Sequence, residues 1–393
     1  LGDVYKRQAG ETRPQVPTSK SIGTFFKARH SMNSRQRTVA ALRRQPYDRI
    51  PVDFWATKGA QRKIENALGL SYEEFLNKWD VDLRYIDGPE YIGPPLSTGG
   101  GASVDIWGVK RNAVNIETEG GGAERYSEVA QAPLAAAESV EDIEGYDHWP
   151  SPDWFRYDVV EAQCDRLIEA GRAVVFMGDR LNRVAQLKPA MYIRGTEEIF
   201  VDLAIRPEIA RAVFGRIKAF YREYLSRILA AAKGKIDIIL TGDDFGAQNA
   251  PLLSLSMWDA FLREGFADYV RIIHQSGATA MHHTCGSVVD MIPGMIDSGL
   301  DILQSLQPEA AGMDAAKLKR LFGERLSFQG GVSIQKTLPF GTTDDVTREV
   351  ARLAATFGKS GGYIFGTAHN IQTDVSVANV LALLEAYREF GAF

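Results

Sequence analysis

Residues 236–248, IDIILTGDDFGAQ, carry the pattern that decides the fold. A short apolar run ends in two glycines, Gly242 and Gly246, which bracket two carboxylates, Asp243 and Asp244, and one ring, Phe245. Such a run suits a strand covered on both faces, as in a parallel sheet. Its polar residues all crowd the C-terminal end. Three other predicted strands repeat that asymmetry. Residues 278–283 run into Thr284-Cys285-Gly286, residues 325–329 into Gly330-Gly331, and residues 362–365 into Gly366-Thr367-Ala368-His369-Asn370. Four further runs, 50–54, 82–86, 173–178 and 300–304, bring the count of predicted strands to eight. Helical periods lie between most of them, at 34–44, 197–232, 257–274, 314–322 and 343–357. Eight strands alternating with helices predict an α/β chain folded as a closed (β/α)8 TIM barrel, whose functional groups gather at the strand C-termini. Three of the six histidines, His282, His283 and His369, fall there. An open doubly wound sheet is the alternative, but neither of its glycine-rich phosphate motifs occurs.

The interruptions are also legible. Glycine runs at 99–101 and 120–122 flank VDIWGVKRNAVNIETE (104–119), whose alternation predicts a β-hairpin inserted after the second strand. Residues 146–158, YDHWPSPDWFRYD, read as an ordered connection back to the barrel. Residues 1–31 show no period, hold six Lys/Arg against two acids, and open on the adaptor-like LGDVYKRQ. They are expected to be a disordered or non-native extension, with Met32 as the natural start and 32–393 as the barrel domain. In the first helical period Ser34 is the expected cap, and Arg35, Arg37, Arg43 and Arg44 are expected to form a solvated face.

Charge and cysteine usage narrow the function. Lys+Arg 45 against Asp+Glu 50 argues against a grip on nucleic-acid phosphates. No apolar run reaches the ~18 residues of a membrane helix. Two cysteines cannot build a disulfide framework, so a reducing cytoplasm is expected. Cys164 sits in a helical pattern and reads as core.

His283 and Cys285 stand two apart in an extended chain, so they face one side and can grip one ion. Neutral imidazole with thiolate suits Zn2+. His369, from the last strand, is the expected third ligand, with Asp244 as the alternative. A buried free cysteine beside a hydrogen-bonded histidine is the bland reading. In a real site the donors should converge within about 4 Å, and a separation above ~8 Å would exclude it. His282 should face away. Asp243 and Asp244 are candidate acid–base residues, or one of them caps a helix. Trp55, Gln248 and Gln329 are candidate substrate contacts at the mouth.

From Met32 onward the chain resembles the uroporphyrinogen decarboxylase superfamily, particularly its cobalamin-dependent methyltransferase branch. The resemblance is carried by Ser34-Arg35-Gln36-Arg37 through Arg49-Ile50-Pro51-Val52-Asp53-Phe54, by Arg194-Gly195 and by Gly242-Asp243-Asp244-Phe245-Gly246. His283-Thr284-Cys285-Gly286-Ser287 and Gly361-Gly362-Tyr363-Ile364-Phe365 complete it. Decarboxylases of this family carry M-R-Q-A-G-R after the first-strand Pro-Val, and its arginines hold tetrapyrrole carboxylates. Here Trp55-Ala56-Thr57-Lys58-Gly59-Ala60 stands instead, without arginine. The methyltransferase branch carries His-x-Cys and a later cysteine as zinc ligands, and here His369 occupies the later position. The resemblance therefore implies a zinc-dependent methyltransferase that activates a thiol or related small methyl acceptor. Methylcobalamin would come from a separate corrinoid protein, since no D-x-H-x-x-G motif is present. A decarboxylase using Asp243 or Asp82 with a basic carboxylate clamp, and a non-catalytic tetrapyrrole or corrinoid binder, remain alternatives. A homodimer is compatible with the sequence.

Overall fold

Seven short parallel strands form one sheet in chain order: Leu83–Ile86, Ala173–Phe176, Ile238–Gly242, Thr279–His283, Ile302–Gln304, Ser327–Gln329 and Tyr363–Ile364. The computed structural model describes residues 32–96, 102–118, 122–178 and 183–393, so the expectation for residues 1–31 lies outside the described residues. The eighth predicted strand, residues 50–54, is extended but forms no ladder. Val52 O accepts the Asp82 N–H (2.9 Å), and Asp53 N–H donates to Phe365 O (2.8 Å), so the segment bridges first and last strands and closes the ring. Pro51 lacks the N–H that a central ladder would need, which explains the difference. The chain is a TIM-type barrel.

Side-chain parity organises the rest. Ala173, Val175, Ile238, Leu240, Met281, Ile302 and Ile364 belong to one buried cluster of barrel-strand residues. Alternate residues along each strand share a face, so Gly242, His283 and Gln304 continue the rows of Leu240, Met281 and Ile302 into the barrel mouth. Thr241 and His282 have the opposite parity and belong to the helix side. The larger apolar cluster lies between strands and helices.

Several boundaries shift. Six of the seven strands begin one or two residues later than predicted because lead-in residues such as Ile236 and Leu300 are buried without joining the parallel register; the strand at Ala173 begins where predicted. The helical pattern over 197–232 is two helices, Thr196–Ile205 and Pro207–Ala232, broken at Arg206 (φ −132°) because Pro207 starts the second. The 257–274 pattern likewise divides into Leu255–Phe261 and Arg263–Gln275. The first helix, Ser34–Leu42, is capped by Asn33 rather than Ser34, through a reciprocal capping box with Gln36. Of the four arginines expected on a solvated face, Arg43 and Arg44 are exposed, and Arg35 is half-buried against Asp237 at 2.9 Å. Arg37 is buried, with Asp48 and Asp82 each at 2.6 Å. Asp82 is also held by Arg49 at 2.6 Å and accepts the Val52 N–H at 2.8 Å. It precedes its strand, at the end opposite the mouth, so the decarboxylase role considered for Asp82 has no geometric basis.

Between the Leu83–Ile86 and Ala173–Phe176 strands, Lys110–Thr118 pairs antiparallel with Gly122–Gln131, and Ala102–Val104 joins as a third strand. Residues 119–121, between the paired strands, lie outside the described residues. Cys164 is fully buried in the Val159–Glu169 helix. Among the described residues no helix is long and apolar enough to cross a membrane.

Candidate metal centre and cavity

The loops after the Ile238–Gly242 and Thr279–His283 strands are locked backbone to backbone. Gly246 N–H donates to Cys285 O (3.2 Å), and Ser287 N–H donates to Ala247 O (2.8 Å). A Cβ on Gly286, whose φ is +85°, would lie 2.3 Å from the Gly246 carbonyl. A Cβ on Gly246 would lie 2.7 Å from Cys285 O. The two glycines therefore allow the GDDFG and HTCG loops to touch, which presents Cys285 beside His283 at the mouth.

His283, Cys285 and His369 come together, with one donor atom from each lying within 4.8 Å of the others. That is wider than the expected ~4 Å and well inside the ~8 Å limit. Cys285 Sγ is 3.4 Å from His283 Nε2, close to the ~3.6 Å edge of a tetrahedron with zinc bonds of about 2.1 and 2.3 Å. His283 Nδ1 faces Gln304 Oε1 at 2.8 Å. An amide oxygen only accepts, so Nδ1 carries the proton and Nε2 keeps its lone pair toward the cysteine. Burial, opposed by Asp244, pulls the His283 pKa down to about 3, so the ring is neutral. Burial and the nearby Asp244 carboxylate push the Cys285 thiol up to about 12. The protein alone thus keeps this sulfur protonated, and a cation is what would favour its ionisation. One thiol and two imidazoles converging at a barrel mouth fit the donor chemistry of zinc.

Asp244 stands beside this group rather than within it. Its Oδ1 lies 3.5 Å from His283 Nε2 and accepts the Cys285 N–H at 3.2 Å, while Lys188 pairs with its other oxygen. Burial opposes its charge, but the paired Lys188 ammonium and the Cys285 N–H favour the carboxylate. Trp55 is 5.2 Å from the His369 ring and 6.1 Å from the His283 ring, centroid to centroid. Trp55, His283 and His369 border a cavity of about 390 Å³ that also meets Arg111, Arg183, Lys188 and Tyr192.

Three candidate residues sit elsewhere. Asp243 is buried and accepts the backbone N–H groups of Gln186 (2.6 Å), Leu187 (3.1 Å) and Lys188 (2.7 Å), at the start of the Leu187–Arg194 helix. Its predicted acid–base role gives way to capping, the bland alternative. Burial, partly offset by those amides, raises its pKa to about 6. Gln248 is exposed and bonds Glu309 O (2.7 Å) and Gln307 (3.3 Å), away from the cavity. Gln329 is buried in the barrel, donating to Asp53 at 3.1 Å. Neither borders the cavity, so their predicted substrate contacts are not formed. His282 does face away: Thr241 Oγ1 lies 2.8 Å from its Nδ1, and Phe245 stacks on it.

The sequence reading missed Arg111, Arg183, Lys188, Tyr192 and Gln304. Gln304 had a usable signal, a polar side chain at the end of an apolar strand. The others lie on the insert, a helix and a loop with no motif of their own.

A model of the family described as uroporphyrinogen decarboxylase (URO-D) matches residues 157–390. Uroporphyrinogen decarboxylase of Chlorobium limicola is 24% identical over 195 residues, covering 47% of this chain and 50% of that protein. The Pseudomonas fluorescens enzyme of the same name is 32% identical over 79 residues, 20% of this chain and 22% of that one. The chain thus spans about half the length of the first curated relatives it matches. Among solved structures, a methyltransferase from Methanosarcina mazei superposes with a TM-score of 0.63 at 18% identity, covering 92% of this chain and 100% of the other. At that identity the likeness is one of fold. The family match spans more than half of the chain, and with it the strands that carry Asp244, His283, Cys285 and His369: the chain belongs to the uroporphyrinogen decarboxylase (URO-D) family.

Proposed function

We propose that this protein is a zinc-dependent methyltransferase that moves a methyl group between a separate corrinoid protein and a thiol or related small acceptor. The observation that carries this reading is the convergence of His283, Cys285 and His369 at the mouth of a closed barrel. Three protein donors leave a fourth position for a substrate atom, the arrangement of catalytic rather than structural zinc sites. When bound, zinc supplies the Lewis acidity that lets an acceptor thiol ionise near neutral pH. The chain's own residues do the rest. Gln304 holds His283 in the tautomer that offers Nε2. Asp244 fixes the Cys285 backbone and is itself anchored by Lys188. Trp55 walls the donors off on one side. The methyl acceptor enters the cavity, and the corrinoid partner approaches the open barrel mouth.

Absence of arginine in residues 55–60 weighs against the activity named for the curated relatives, and Ala56 and Ala60 are both buried. The methyltransferase superposition adds support at the level of fold.

The test is methyl transfer from free methylcobalamin to a panel of small thiols, followed by the visible spectrum of the corrinoid and by methyl-thioether formation. Zinc-loaded protein should catalyse the transfer, and Cys285→Ser should not. Equal rates with wild type and Cys285→Ser would exclude the reading.

A further inference from the structure

Arg111 is held in an unusual state. Asp105, on the turn before the Lys110–Thr118 strand, accepts the backbone N–H groups of Trp107 (2.9 Å) and Val109 (3.1 Å) on Oδ1. On Oδ2 it accepts Arg111 Nε at 2.8 Å. The guanidinium is therefore pinned at its Nε corner. The residue is only 2% exposed, its Cζ lies 4.4 Å from the Tyr192 ring centroid, and it borders the cavity that holds His283 and His369. Its two terminal nitrogens, Nη1 and Nη2, have no hydrogen-bond partner among the described residues. Buried charged donors are normally paired, because leaving them unmade forfeits their hydration without return.

The missing partner can be characterised. Tyr192 covers one guanidinium face, so the free hydrogen-bonding edge is the pair of terminal nitrogens. That edge matches two oxygens in one plane, the geometry of a carboxylate. Among the described residues the cavity lining holds three cationic side chains, Arg111, Arg183 and Lys188, against one carboxylate, Asp105. Lys188 is already matched by Asp244. Trp55 and Trp107 add aromatic lining, which suits a flat apolar body.

We propose that Arg111 is a specificity-determining residue that binds the carboxylate of a small substrate whose remainder is flat and apolar. The inference rests on reading this cavity as the substrate chamber, and it assigns a role to the antiparallel insert rather than to the family's strand-end residues. Arg111 binds the acid at one end of the chamber and leaves the reacting group free to reach the His283–Cys285–His369 cluster.

Calorimetric titration of the full chain with benzoate and with its neutral counterpart benzamide tests this, with and without added zinc and with no methyl donor. Wild type should prefer benzoate by about tenfold or more, and Arg111→Gln should abolish the preference, the loss expected for a charge-assisted hydrogen bond. Arg111→Lys should keep only part of it, since an ammonium cannot present the planar fork. Because Arg111→Gln alone leaves Asp105 buried without its cation, Asp105→Asn/Arg111→Gln provides the comparison if the single variant fails to fold. No saturable benzoate binding at millimolar concentration overturns the proposal, as does equal binding of benzamide or a preference that survives the substitution. These readings do not depend on methyl transfer. A protein that prefers benzoate through Arg111 but shows no zinc-dependent transfer would overturn the proposed reaction and leave the carboxylate site standing.

Discussion

His283 Nδ1 sits 2.8 Å from Gln304 Oε1, and the two residues are direct register partners on neighbouring strands. The barrel's own hydrogen-bond ladder therefore sets the orientation of the imidazole, before any ligand arrives. Both residues share the parity that points into the mouth.

Replacing Gln304 tests that support. Gln304→Leu removes the acceptor for Nδ1–H and frees the ring to rotate or change tautomer. Loss of such an outer partner typically weakens metal affinity about 10–100-fold. Competition with a chromogenic chelator should show that drop, while Gln304→Glu, which keeps an acceptor, should stay much closer to wild type. Unchanged affinity in Gln304→Leu would mean that the pairing does not orient a ligand.

Metal content should separate the candidate ligands. Purified protein is expected to hold about one zinc per chain. Cys285→Ser, His283→Ala and His369→Ala should each cut occupancy sharply, measured by elemental analysis. His282→Ala should leave it intact, since that ring packs against Phe245 and Phe266. Full occupancy in His369→Ala together with loss in Asp244→Asn would transfer the third ligand to Asp244.

Asp243 should behave as a structural cap. Asp243→Ala strips the buried N–H groups of Gln186, Leu187 and Lys188 of their common acceptor. A cost of about 3 kcal/mol is expected, from a lost cap plus unsatisfied buried donors. Asp243→Asn should cost less because one oxygen remains. Denaturant midpoints report this, and zinc content should not follow them.

Asp53 makes stability depend on pH. Burial, partly countered by the Tyr85 hydroxyl at 2.7 Å, raises its pKa from 3.8 to about 6. A raised folded-state pKa means that the native state prefers the protonated acid. Its favourable contribution is complete below about 3.8 and is lost as pH rises through about 6. Asp53→Asn keeps an oxygen for Tyr85 and Gln329 but cannot ionise. Relative to wild type it should gain stability between pH 4 and pH 7, by at most about 3 kcal/mol at 1.36 kcal/mol per pH unit. Parallel stability curves for the two proteins would contradict the shift.

Uroporphyrinogen should not be a substrate. Ala56 and Ala60 are 4% and 2% exposed, so residues 55–60 offer no guanidinium where the decarboxylases carry arginines for the tetrapyrrole carboxylates. A porphyrin assay should give no coproporphyrinogen above background, and turnover at enzyme-like rates would reverse the choice of branch.

The order of strands and helices was legible because local patterning decides it: apolar runs of strand length, helical periods between them, and polar residues gathered at one end. The pairing of His283 with Cys285 was legible for the same reason, since a period of two puts both on one side. Failures came where a neighbour distant in sequence intervened. Arg37 looked like a surface charge until Asp82 and Asp48 met it. Asp243 and Asp244 are adjacent and chemically identical. One caps a helix that starts more than fifty residues upstream, and the other reaches Lys188 beside the donors.

By itself, then, the amino-acid sequence determined the barrel, the end of the barrel where chemistry collects, and the residue types available there. Only tertiary structure decided which of those residues meet. It brought His369 across the closed ring to His283 and Cys285, sent Gln248 outward and Gln329 inward, and placed Arg111 of the insert in the same cavity. Backbone periodicity is a local property that each segment expresses alone. Ring closure, glycine-mediated loop contact and the pairing of buried charges depend on groups far apart in the chain, whose approach is set by packing rather than by spacing.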